Sequence, residues 1–136
     1  MLMPLAIAAF LLAHAGIHVL FLTPRPPVTA DGPAWPFATE SSWLVTRFGF
    51  GQDAIRDLAF AVVAVVVGGF ALAAIAALGV ATAAVWLPAV VIGSMASIAL
   101  LATCFHPWLV LGVGIDVVLL YATLIVGWVP TSASLL

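Results

Sequence analysis

The chain of 136 residues has no lysine, one cysteine, one tyrosine and a charged fraction of only 6%. Each scarcity excludes something. Three arginines against five acids make no basic stripe, so nucleic acid is not an expected partner. A lone cysteine, Cys104, excludes an internal disulfide and reads as a small buried apolar residue. With 66% apolar residues, too little polar surface remains to coat a soluble domain of this length. The first twenty residues lack the basic n-region of a cleaved leader, so they are expected to be a retained first span.

What the chain has instead is four long apolar stretches. Spans at about 3–22, 54–78, 81–105 and 107–129 are each near the ~20 residues a bilayer requires. Pro4 falls in the first turn of span one, where a missing N–H costs nothing. Thr23-Pro24-Arg25-Pro26-Pro27 stops that span. The 23–53 loop, about 30 residues rich in Pro, Gly, Trp and Phe, is expected to lie on the membrane surface. Within it, 41–48 reads as a short interfacial helix ended by Gly49. Asp53 is the expected N-cap of span two, and Asp57 complements its dipole. Gly79 makes the next connection tight. Pro88 either kinks span three or marks its start, and His106-Pro107 precedes span four. Short connections force antiparallel neighbours, so the expectation is an all-α, integral membrane four-helix up-and-down bundle forming a single domain, 1–136.

This threading puts both termini on one side and the loop on the other. Trp35, Trp43 and Trp108 then fall at the loop-side interface and Trp86 and Trp128 at the opposite one, as two aromatic belts. All three arginines (Arg25, Arg47, Arg56) lie on the loop side. The positive-inside rule therefore places the loop in the cytoplasm and the termini across the membrane. Arg25 reads as a headgroup or loop contact. Gly69, Ala73 and Ala77 in span two, and Ala89, Gly93 and Ser97 in span three, recur every fourth residue and let helix backbones approach.

Away from their ends, the spans contain only three ionisable residues: His14, His18 and Asp116. Each costs about 2.5–3.5 kcal/mol to insert, so each needs a reason to be there. His14 and His18 share one helix face. At the helical rise, His14 lies roughly 12 Å from the loop side, Asp116 roughly 13 Å and His18 roughly 6 Å. Ser97 reaches the level of His14 and Asp116, while His106 sits at the mouth near Arg56 and Asp57. The plain explanation is a buried pair holding spans one and four in register. Ser94, Ser97 and Thr103 then bond back to their own helix.

Three sharper readings compete. A metal site would use His14, His18 and Asp116, although no Glu follows the first His as a zinc hydrolase motif requires. Haem could be ligated between spans by His18 and His106, but not by His14 and His18 together, which share a face. A ligand-binding or proton-coupled cleft would use an Asp–His pair that titrates with its cargo.

Leu11-Leu12-Ala13-His14-Ala15-Gly16-Ile17-His18, Pro24-Arg25-Pro26, Gly32-Pro33-Ala34-Trp35-Pro36-Phe37, Ser42-Trp43-Leu44 and Phe105-His106-Pro107-Trp108, with Asp116, resemble a group of small bacterial four-helix membrane proteins. These are common in high-GC actinobacterial and Chloroflexi-type genomes, and the overall shape is distantly similar to the DoxX-like proteins. The resemblance covers the whole chain and implies the fold, but no activity or cofactor.

The leading functional expectation is a polar cleft opening on the loop side that binds a small molecule, lipid-like ligand or cofactor. His14, His18, His106, Asp116, Ser97 and Arg56 would line it, with Trp35 in the lid. The alternatives are a structural subunit of a homo-oligomer or larger membrane complex, and a small enzyme or proton-coupled transporter component. The enzyme ranks last because no activated nucleophile accompanies Asp116 and the histidines.

Overall fold

The computed structural model describes residues 2–26 and 35–130; the middle of the loop, 27–34, and the terminal residues 1 and 131–136 lie outside the described residues. Helix α1 (Leu2–His18) tightens into a 3₁₀ turn, Val19–Leu22, before the chain extends at Thr23. Short α2 (Trp43–Phe48) is capped at both ends. The Ser42 hydroxyl accepts the Leu44 N–H, and Gly49 takes the left-handed conformation, φ 70°, that its lack of a Cβ allows.

Helix α3 (Gln52–Ala77) has Gly51 as its N-cap. Asp53 is the second residue of the helix, a correction to its expected capping role, and interacts there with the helix dipole and with Arg56 at 3.2 Å. Gly79, φ 73°, turns the chain into α4 (Ala83–Thr103). Pro88 lies inside α4, so the helix does not start there. Its missing N–H faces the carbonyl of Ala84, only one residue into the helix. Span four is three pieces, not one helix: a 3₁₀ turn Pro107–Leu109, α5 (Val110–Leu120) and a π turn Tyr121–Ile125.

The four long helices are each long and apolar enough to cross a membrane, and no strand occurs among the described residues. Their order in space is α1–α3–α4–α5, because α1 packs on α3, α3 on α4 and α4 on α5. Neighbours run antiparallel. Ala8, Leu11 and Ala15 share one apolar cluster with Val66–Ala77 and Trp86–Val90, whereas Phe21 shares another with Ala59, Val63, Leu100, Leu101 and Leu109. Met3 and Trp128 border one hollow, so the first and last described segments meet at the end away from the loop.

The small-residue rows act where α3 crosses α4. A Cβ built on Gly69 would sit 2.8 Å from the Gly93 Cα and 3.0 Å from the Ala89 carbonyl oxygen, so the backbones themselves touch. At the far end, Trp86 is fully buried, donates Nε1–H to the Trp128 carbonyl at 3.1 Å and meets its ring edge-on at 5.4 Å. This corrects the belt expectation for Trp86, which is a core residue because its indole finds both a partner and a packed surround inside the bundle. Trp108 and Trp43, at the other end, keep substantial exposed surface.

Candidate functional site

Between the two apolar clusters lies a polar layer built by α1, α4 and α5. His14, His18, Ser97 and Asp116 are all buried. His14 Nε2 lies 3.0 Å from Asp116 Oδ1. The other carboxyl oxygen, Oδ2, is hydrogen-bonded to the Ser97 hydroxyl. That hydroxyl also meets His18 Nε2 at 2.7 Å, and His18 Nδ1 donates to the His14 carbonyl at 3.0 Å. Phe70 of α3 covers the His14 ring edge-on, 5.1 Å between centroids.

Helix direction explains why His18 joins a layer that its depth in the chain puts one turn away. Side chains on a helix lean toward its N-terminus, and α1 runs toward the loop. The His18 ring therefore reaches back past its own turn to Ser97. Ser97 does not bond back to its helix as expected, because two better partners stand in front of it. Thr103 does so, on the Ala99 carbonyl, while the buried Ser94 hydroxyl has no partner.

The hydrogen count in this layer is restrictive. The backbone carbonyl of His14 accepts only, so His18 Nδ1 must carry a hydrogen. Ser97 has one hydrogen and two partners, so one partner must donate to it. A net charge buried here would be costly, and two arrangements without one make every bond: in one, the carboxyl group of Asp116 is protonated at Oδ2, donates to Ser97, and Ser97 donates to a neutral His18. In the other, His18 is an imidazolium donating to Ser97, and Ser97 donates to a carboxylate. The two contain the same hydrogens. They interconvert when the Oδ2–H proton passes to Ser97 Oγ while the Ser97 proton passes to His18 Nε2. The two arrangements differ only in whether Asp116 of α5 or His18 of α1 holds the shared proton. Among the described residues, α4 offers the layer Ser97 and α3 the aromatic Phe70, and no further titratable group bonds to it.

Beside this layer, toward the loop, α1 and α5 stand apart around a cavity of about 410 Å³. His14 and His18 form its polar wall, and Trp35, Phe37, Leu101 and Trp108 are among its apolar ones. Trp35 Nε1 is buried without a partner among the described residues. Phe37 is held edge-on by Phe21 at 5.2 Å and by Trp35 at 5.3 Å. Of the residues singled out from sequence, His14, His18 and Trp35 line the cavity, and Ser97 and Asp116 support it from behind.

Arg56 and His106 do not join them. Arg56 is exposed beside Asp53, and His106 Nδ1 accepts the Trp108 N–H at 3.3 Å, capping the 3₁₀ turn. Arg25 makes a loop contact, 3.7 Å from Glu40, with both side chains substantially exposed. Gly112 and Leu101 also line the cavity, and neither was expected there from the sequence. Gly112 sits one helical turn before Asp116 on the same face, a spacing that could have identified it.

The same geometry bears on the metal expectation. Among the described residues no three of His, Cys, Asp and Glu form a group that could hold a metal ion. In the proposed His14, His18 and Asp116 set, the ligand atoms Nε2 and Oδ1 are turned on one another, and both His18 nitrogens are taken.

The loop is fastened to α4 at its end. Ser42 Oγ donates to the Thr103 carbonyl and Trp43 Nε1 to the Ala102 carbonyl, both at 2.8 Å, satisfying two of the orphan acceptors at a helix C-terminus. Cys104 follows directly and is buried. Burial pushes its thiol up to about 11, a hydrogen bond with Ser42 pulling the other way and Glu40 adding to the rise. No family model, curated protein or solved structure matches the chain.

Proposed function

We propose that the chain is a multi-pass membrane protein that binds a small, mostly apolar molecule in the cavity between α1 and α5. The observation that carries this reading is the cavity itself: about 410 Å³ of apolar wall with histidines at one place. Ligand sites share that build, with predominantly apolar lining and a few polar groups that fix orientation. The loop residues Trp35 and Phe37 are its lid, and the positive-inside rule supports a cytoplasmic loop with termini opposite. The bilayer is the surrounding partner and the source from which an apolar ligand arrives.

Titrating the detergent-purified protein with 1-decanol, read by tryptophan emission, tests the reading. A saturable change in the native chain, lost in an Ile17→Trp variant whose larger side chain fills the cavity that Ile17 lines, is the expected result. An unsaturable response, or one that Ile17→Trp leaves intact, overturns it.

A second reading is supported by the hydrogen bonds linking α1, α4 and α5: a structural or accessory subunit, within a homo-oligomer or larger complex, whose polar layer pins its own helices. It accounts for the polar layer but leaves the cavity without a role.

A further inference from the structure

Resting on the binding reading above, we infer that the cavity takes an uncharged molecule by a hydroxyl group, alcohol or phenol, whose O–H donates to Nδ1 of His14. The hydrogen count of the polar layer carries the assignment. In both arrangements without net charge the Asp116 proton is held at Oδ2 or passed along through Ser97, so none sits on Oδ1. Oδ1 is then an acceptor in each, so His14 Nε2 must carry hydrogen and donate to it. A neutral imidazole with hydrogen on Nε2 presents a bare lone pair at Nδ1. Charging His14 instead would leave the Ser97 hydroxyl facing two acceptors with one hydrogen.

That lone pair is open to a ligand. No described residue bonds to His14 Nδ1, and it is not among the buried polar atoms without partners, which are Trp35 Nε1, Ser94 Oγ and Thr123 Oγ1. The ring borders the cavity. A molecule that offers only acceptors there, such as a ketone, ether or carboxylate, sets lone pair against lone pair. An ammonium could donate, but its charge would enter apolar walls without a counter-ion in contact, which costs far more than a neutral group. Trp35 stands in the same wall, its buried Nε1–H without a partner among the described residues.

The body of such a molecule is hydrocarbon. A second hollow between α1 and α5 continues the cavity away from the loop, sharing Leu111 and Ile115 with it, and is walled by apolar residues such as Phe10 and Val118. Gly114, in this second hollow, has open space where a Cβ would stand.

Two measurements on the full chain in micelles decide the matter. Histidine-selective ¹⁵N NMR should show His14 with hydrogen on Nε2 and a bare Nδ1; hydrogen on Nδ1, or an imidazolium, overturns the assignment. Titration with 1-decanol and with 1-methoxynonane, an ether of equal heavy-atom count, should favour the alcohol by several-fold, up to about tenfold. The alcohol alone should shift the Nδ1 resonance. Equal binding of alcohol and ether overturns the hydroxyl assignment while leaving the cavity reading intact. Binding of neither overturns both, whichever tautomer the spectra give. Because the tautomer is read in the native chain, the test does not depend on a His14 variant folding.

Discussion

The α3–α4 seam and the α1–α5 seam join helices of similar composition by opposite means. At the first, Gly69 and Gly93 remove every side-chain atom between two backbones, and the helices touch. At the second, α1 and α5 stand apart, and a histidine and an aspartate reach across to each other. A bundle in lipid gains nothing from burying one apolar surface on another, because lipid tails are equally apolar. It has close packing and hydrogen bonds to work with, and this molecule uses one at each seam. Close packing leaves no room for a ligand. Hydrogen bonding across a gap holds the gap open, which is why the cavity lies beside the polar bridge and not beside the glycines.

The strongest way to break this contrast is to force the closed seam apart. Gly69→Ala puts a methyl 2.8 Å from the Gly93 Cα, where only backbone can yield. A loss of about 1–3 kcal/mol is expected, seen as a lowered thermal midpoint in detergent. The open seam should respond less. Asp116→Leu removes two inter-helix hydrogen bonds, and such bonds average about 0.6 kcal/mol each in membranes, so the loss expected is about 1 kcal/mol. A double-mutant cycle with His14→Leu isolates the bridge; effects that simply add, with no coupling, would sink the pairing.

Smaller effects sharpen the comparison. Gly112→Ala brings its methyl to 2.9 Å from a Leu101 methyl, the movable end of a side chain, and Gly114→Ala meets nothing within 4 Å. Both should stay within about 0.5 kcal/mol of the native chain by the same thermal assay. If they match Gly69→Ala, the two seams do not differ as described. Smallest of all is the expected reactivity of Cys104 in the folded chain. With its thiol raised to about 11, alkylation at pH 8 should be slow and should rise with pH up to that value, since only the thiolate attacks.

Most of the fold was legible because hydropathy and punctuation are strong signals in a chain this apolar. The four spans, the α2 helix with its Gly49 cap and the close approach at Gly69 and Gly93 all follow from local residue chemistry. The His14–Asp116 pairing was legible from equal depth on the first and last spans. What depth alone left out was azimuth and side-chain lean. These bring His18 down to Ser97, and they leave Arg56 and His106 outside the cluster. Trp86 was misread because an indole at a span end has the same sequence signature whether it faces a headgroup or a neighbouring carbonyl. The fragmentation of span four into 3₁₀, α and π turns has no marker in the sequence beyond Pro107.

The Ser42 and Trp43 bonds to the last carbonyls of α4 have a mechanical consequence. Lifting α2 would uncap a helix, so this corner behaves as the fixed jamb of a doorway. The leaf is Trp35–Phe37, which among the described residues is held by ring contacts with Phe21 and with itself. On the proposed binding reading, a visitor to the cavity would displace Trp35–Phe37 beside a corner that Ser42 and Trp43 bond to α4.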